Sequence, residues 1–313
     1  VTERVHALDG VYLLDTVHTG LAGTIGSYLL PTGAGGFALI ETGPGSTLAA
    51  LEQAIREAGF EPEALEDVLV THIHLDHAGA AGTLARRYGA TVWVHERGAP
   101  HLADPSRLVN SAKRIYGDEM KALWGEMESV PPAHLRALKD GETVTGKRVR
   151  VRALDTPGHA SHHLCYLLAD GTLFTGDAAA IKLNGAPTIR PALPPPELDL
   201  EQWEASLKRM REVAPSRLLL THFGEVREVD KHLAAVAEKN RKWAEVILEG
   251  MRLGESDEAL TRRITEVGLA ELEADGATPE AVAKHRVTSS FEMTVWGVKR
   301  YWQTRRPERL GSA

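Results

Sequence analysis

Thr71-His72-Ile73-His74-Leu75-Asp76-His77-Ala78-Gly79 places four side chains able to ligate a metal within six residues. Val68-Leu69-Val70, an apolar and β-branched run, stands directly before it and reads as a short buried strand. The ligands therefore belong to the loop that leaves the end of a strand. Alternation along an extended backbone sends His72 and His74 to one side. A turn at Asp76 lets that carboxylate and His77 face a second point nearby. Imidazole and carboxylate donors suit zinc, iron or manganese. A lone His-x-His pair is more often a solvated loop, so the reading depends on further ligands downstream.

Three such segments follow. Asp155-Thr156-Pro157-Gly158-His159 comes after the strand pattern Val149–Leu154. Asp177 closes Leu173-Phe174-Thr175-Gly176-Asp177, and His222 closes Leu218-Leu219-Leu220-Thr221-His222. Each is a short apolar strand that ends in a candidate ligand, whereas a core histidine more often lies inside its strand.

Taken together, His-x-His-x-Asp-His, Thr-Pro-Gly-His, Phe-Thr-Gly-Asp and a strand-terminal His resemble the metallo-β-lactamase-fold superfamily of hydrolases, over roughly residues 10–225. The resemblance implies a sandwich of two mixed β-sheets flanked by helices (αββα, an α/β fold) and a centre of two divalent ions, zinc first, with iron or manganese as alternatives. His72, His74 and His159 would hold one ion, and Asp76, His77 and His222 the other. Asp177 would bridge them, with a water or hydroxide between the ions. The all-His/Asp set is most similar to the glyoxalase II-like branch. Glu41, in Glu41-Thr42-Gly43, stands where most relatives carry Asp, and as a supporting acid it would reach a ligand from one methylene further away. His163 matches the second His of a Gly-His-x-x-Gly-His pattern and takes the same supporting role, while His162 replaces its glycine and has no assignment.

Composition agrees with a soluble globular protein: 313 residues, 43% apolar and 25% charged, allow one large domain or a domain with an extension. A net charge of −7 argues against a nucleic-acid surface. The single cysteine, Cys165, excludes an internal disulfide framework and a Cys-rich metal site, and its strand context makes it buried filler. Neither a basic-then-apolar N-terminal segment nor an apolar run of membrane-spanning length is present. A cytoplasmic protein without a membrane partner is the simplest expectation.

Strands are expected at residues 11–14, 27–30 and 37–40, the last two joined by a hairpin through Pro31-Thr32-Gly33-Ala34-Gly35-Gly36. Ser46 is the expected cap of a helix bearing Leu48, Leu51 and Ile55, with Gly59 closing it. His95 ends the strand Thr91-Val92-Trp93-Val94 and reads as structural or supporting. Residues 99–132 depart from the minimal fold as two short helices, either a surface excursion or an apolar pocket wall. His101 and His134 beside them are expected in solvent. Asp199 and Gln202 resemble a capping pair for a helix bearing Leu200, Trp203, Leu207 and Met210. Beyond residue 230 three helices are expected, the third opened by Thr278-Pro279 and carrying Val287, Phe291, Val295, Val298 and Trp302. The domain reading is a catalytic part, 1–229, and a helical extension, 230–313. Lys239, Arg241 and Lys242 read as a solvated helix face, and Trp296, Tyr301 and Trp302 as internal packing or a homodimer contact.

The function these readings support is hydrolysis of an ester, thioester, lactone or amide bond of a small molecule, with Asp76 orienting the nucleophile and moving its proton. An alternative from another class is a mononuclear iron dioxygenase acting on a sulfur substrate. Lys182, Asn184 and Arg190 are candidates to meet a substrate carboxylate, although such a loop is ordinarily just solvated. Nothing in the sequence fixes the substrate.

Overall fold

The first sheet of the computed structural model shows why the opening stretch lies where it does. Seven strands run in the order β1 (Val5–Leu8), β2 (Val11–Asp15), β3 (Gly26–Gly33), β4 (Gly36–Ile40), β5 (Leu65–Leu69), β6 (Thr91–His95) and β7 (Leu135–Leu138). The first four pair antiparallel, and β4 to β7 pair parallel. Parallel neighbours need crossovers, which here are the helices α1 (Leu48–Glu57), α2 (Leu75–Ala78) and α3 (Ala81–Tyr88) and the insert after β6. Leu51 and Ile55 of α1 and Leu84 of α3 join Leu39, Val68 and Val92 in one buried cluster. The structure describes residues 3–146, 149–288 and 290–311, without the side chain of Val287.

Two compact units emerge. The first runs to Asp155 and takes in Leu164–Gly176; the second comprises Thr156–His163 and the chain from Asp177 onward. Within the first unit, β8 (Thr143–Thr145), β9 (Arg150–Asp155), β10 (Leu164–Leu167) and β11 (Thr172–Phe174) form an antiparallel array. It meets the seven-stranded sheet through Tyr28 and Phe174, whose rings stand edge to face at 5.3 Å, and through the Tyr166 hydroxyl, which donates to Val70 O at 2.9 Å. Cys165 is fully buried there, as filler.

Three helices occupy the insert where two were expected: α4 (Ala99–Ala103), α5 (Ser106–Tyr116) and α6 (Met120–Trp124). It is no loose excursion. A Cβ on Gly45 would lie 2.2 Å from Glu126 O and one on Gly82 2.1 Å from Glu128 O, so the insert lies against glycine backbone. Ala112 and Met120 pack with Leu75 of the ligand run. Ser46 is not the cap of α1: its hydroxyl donates to Leu123 O in the insert, and the turn Gly45–Thr47 leads into the helix. His101 and His134 are half-buried, not in solvent.

The second unit carries α7 (Leu200–Glu212), the antiparallel pair β12 (Arg217–Leu220) and β13 (Gly224–Val226), then α8 (Val229–Arg252), α9 (Asp257–Ala274), α10 (Pro279–Thr288) and α11 (Phe291–Arg305). Asp199 caps α7 as its pairing with Gln202 predicts: its Oδ1 accepts from Gln202 N at 3.0 Å and its Oδ2 from Gln202 Nε2 at 2.6 Å. The third helix expected beyond residue 230 is two. Ser290, in extended conformation, accepts from Met293 N at 3.1 Å and so begins a new helix. The side chain of Val287, expected on that helix's apolar face, lies outside the described residues. Lys239 and Lys242 are not merely solvated, since both reach Glu271 of α9, at 2.7 and 2.6 Å. Tyr301 and Trp302 pack internally, while Trp296 is 41% exposed. The αββα class with C-terminal helices is the fold the chain adopts.

Candidate metal centre

In the first unit the ligand run begins where β5 stops. Val70 N still pairs with Trp93 O, and Thr71 O accepts from Leu164 N, so the backbone stays extended through Thr71. His74 then heads the single turn α2, its carbonyl accepting from His77 N and Ala78 N. That turn changes the side-chain period at Asp76 and His77. His72 Nε2 lies 2.9 Å from His74 Nδ1, and the His72 and His77 ring centres are 4.0 Å apart. His77 Nε2 is 3.7 Å from Asp76 Oδ2, and its Nδ1 is 3.5 Å from Glu41 Oε1.

Glu41 is fully buried and takes φ 65°, a left-handed backbone that L residues avoid. Its amide donates to Leu69 O and its Oε1 accepts from Thr71 N at 3.3 Å, which fixes the carboxylate beside His77. Tyr116 of α5, unnoticed in the sequence, is pushed up to about 12, first by burial and then by the charge of Asp76.

The second unit supplies its candidates from three separated segments. Gly158, at φ 139°, admits no side chain, since a Cβ would lie 2.3 Å from Trp203 Cβ. Helix α7 seats this loop, with Asp199 N donating to Gly158 O at 2.8 Å and Ser206 Oγ to Pro157 O at 2.6 Å. His159 Nδ1 donates to Ala192 O at 2.9 Å, which leaves Nε2 as the lone-pair nitrogen. Asp177 stands between two imidazoles: Oδ2 is 3.3 Å from His159 Nε2, and Oδ1 is 3.4 Å from His222 Nε2. Its amide donates to His163 Nε2 at 3.2 Å, and His163 Nδ1 meets Thr156 Oγ1 at 2.9 Å. His163 therefore holds the backbone amide of Asp177. Trp203 Nε1 donates to Ala178 O and His232 Nε2 to Ala179 O, each at 2.8 Å. Burial pushes His232 down to about 4, so it is neutral near pH 7 and its Nε2 carries the proton.

These donors fit a divalent ion. Zinc–nitrogen bonds of about 2.0–2.1 Å in a tetrahedron set neighbouring donors about 3.3 Å apart. The separations at Asp177 match that spacing and exceed the about 2.7–2.9 Å of a charge-assisted hydrogen bond. His72, His74, Asp76 and His77 all belong to His/Asp groups able to hold a metal ion, and so do His159, Asp177 and His222. Other candidates are placed elsewhere. His95 Nε2 pairs with Asp155 at 3.2 Å, a structural role. His162 faces Glu197 at 3.6 Å. Lys182 and Asn184 line a cavity of about 340 Å³ with Phe223 and Glu225. Arg190 does not: it is buried with its guanidinium over the Phe291 ring, and donates to His285 O.

Comparison with known proteins agrees with the geometry. Residues 22–222 match the family described as the metallo-beta-lactamase superfamily. The chain belongs to that superfamily. It is 30% identical over 211 residues to the metallo-beta-lactamase fold-containing protein ST1585 of Sulfurisphaera tokodaii, covering 60% of this chain and 78% of that protein. It is 29% identical over 187 residues to an atrochrysone carboxyl ACP thioesterase of Aspergillus fumigatus, covering 59% of this chain and 46% of that one. The chain thus spans less than half the length of that thioesterase. Among solved structures, the metallo-beta-lactamase family protein TTHA1429 of Thermus thermophilus shares the fold with a TM-score of 0.65 at 23% identity, covering 95% of this chain and 94% of that one.

Proposed function

We propose that this protein is a metal-dependent hydrolase of a small ester, thioester, lactone or amide, working with two divalent ions, zinc first. His72, His74 and His159 would hold one ion, Asp76, His77 and His222 the other, and Asp177 would bridge. The observation that carries this reading is Asp177 itself, with a different imidazole nitrogen opposite each carboxylate oxygen, at 3.3 and 3.4 Å. A carboxylate so flanked is suited to span two ions. When bound, the ions supply Lewis-acid polarisation of the scissile carbonyl and water acidified to near neutral pH. The chain supplies the rest. Asp76, partly open to solvent, would orient the attacking water and accept its proton. Glu41 orients His77, and His163 holds the amide of Asp177.

A thioester heads the substrate classes, because a relative of this chain is named a thioesterase. The glyoxalase II-like branch, the division into residues 1–229 and 230–313, and a homodimer through the Trp296 face belong to the same reading. A cytoplasmic setting does too, supported by the use of a single cysteine, Cys165, which is buried. No helix of the described residues is long and apolar enough to cross a membrane.

Elemental analysis of the purified protein, alongside hydrolysis of p-nitrophenyl acetate and S-lactoylglutathione, tests the proposal. About two zinc or manganese ions per chain with hydrolysis, both reduced in His74→Ala, is the expected result. One iron per chain, no hydrolysis and oxygen uptake with a persulfide would replace it with the dioxygenase.

A further inference from the structure

The turn that presents Asp177 has little of its own to hold it. Gly176-Asp177-Ala178-Ala179-Ala180 offers three methyl groups and no polar side chain beyond the aspartate. Its backbone bends through left-handed conformations at Gly176, φ 47°, and Ala180, φ 60°. The second is uncommon for a residue with a Cβ. One internal bond, Ala180 N to Asp177 O at 2.9 Å, closes the turn.

His163 accepts the amide of Asp177 at its start, and the carbonyls that follow are held from two helices. Trp203 of α7 donates to the carbonyl of Ala178, and His232 of α8 to the carbonyl of Ala179. These are the two residues immediately after the aspartate. Both donors are almost fully buried, at 1% and 4% exposure. The Trp203 ring also stands edge-on to His159, with centroids 5.8 Å apart at 88°. A buried indole or imidazole commonly finds some carbonyl. Here the two donors take consecutive carbonyls of one short turn, and one of them also braces a neighbouring ligand ring.

We infer that Trp203 and His232 are positioning residues that aim the Asp177 carboxylate, and that α7 and α8 thereby tune metal affinity without touching the ions. This rests on the reading of Asp177 as a metal ligand. Losing either donor frees a carbonyl one or two residues from that ligand and lets the turn relax.

The test is zinc affinity of the full chain, measured by competition with a chromophoric chelator, for the wild type, Trp203→Phe, His232→Ala and His232→Gln. Thermal melting of each metal-free protein is recorded beside it. Trp203→Phe and His232→Ala are expected to lose about tenfold or more in affinity. His232→Gln, which keeps an N–H donor of similar reach, is expected to recover most of that loss. A purely structural role would lower melting temperature without this recovery. Unchanged affinity in folded Trp203→Phe and His232→Ala overturns the inference and leaves the metal centre standing. Should His232→Ala fail to fold, Trp203→Phe decides with the same two outcomes. A wild type that binds no zinc overturns the metal-centre reading, and the inference with it.

Discussion

The two sets of candidate ligands are built differently. His72, His74, Asp76 and His77 come from one unbroken run, shaped by a strand end and one helical turn. His159, Asp177 and His222 come from three segments far apart in the chain. They meet because α7 seats one loop and, with α8, grips another. The first set is written in local sequence; the second is a product of packing. A change remote from the ligands should therefore disturb the second set more readily than the first.

The sharpest way to break this comparison is Asp177→Ala, which removes the carboxylate facing both His159 and His222. If Asp177 holds the proposed ions, turnover is expected to fall about a thousandfold or more, since several kcal/mol of transition-state stabilisation would then depend on them. Steady-state kinetics and metal content check it, and full metal with an unchanged rate would remove Asp177 from the site. Gly158→Ala tests the packing side. The new methyl would lie 2.3 Å from Trp203 Cβ and 2.4 Å from its Cα, at a φ of 139°. A loss of about 1–3 kcal/mol in urea unfolding is expected, together with weaker metal binding. Wild-type stability in this variant would mean that α7 yields easily.

The smallest effect concerns acid. His285 is buried, and that burial, with Arg190 adding to it, pushes it down to about 4. Its ring nitrogens have no hydrogen-bond partner among the described residues. The unfolded chain takes up a proton near its ordinary value of about 6.5, whereas the folded chain resists until about 4. Stability from this group is thus complete above about pH 6.5 and drains away as pH falls towards about 4, by at most about 3 kcal/mol. In His285→Leu, denaturant midpoints of the metal-free protein should fall less steeply across that window. An identical slope would show that His285 does not titrate with unfolding.

The sequence made the first ligand set readable because its spacing, strand end and donor types coincide within nine residues. Later candidates were readable as strand termini, and Asp199 with Gln202 as a cap. What escaped were features decided by tertiary packing. Ser46 looks like a cap, yet the insert offers its hydroxyl a better-placed acceptor in Leu123 O. Ser290 interrupts what periodicity alone joins into one helix. Trp203 reads in the sequence only as one apolar position of its helix, and the partner of its indole proton, Ala178 O, is set by packing. His232 left one trace, a histidine among the apolar positions of α8, which is weak because buried histidines are common. Tyr116 left none.

The last helix carries a consequence for timing. Gly297 of α11 lies against the backbone of Leu193 and Pro194, where a Cβ would come within 2.1 Å of Leu193 O. The same loop offers Ala192 O to His159. During synthesis the chain emerges from its N-terminus, so the seat of that loop, Gly297, arrives roughly 140 residues after His159 itself. The proton on His159 gains its fixed address late, and a ribosome-bound chain would carry the segment with His72 to His77 complete while His159 still awaited the helix that seats its acceptor loop.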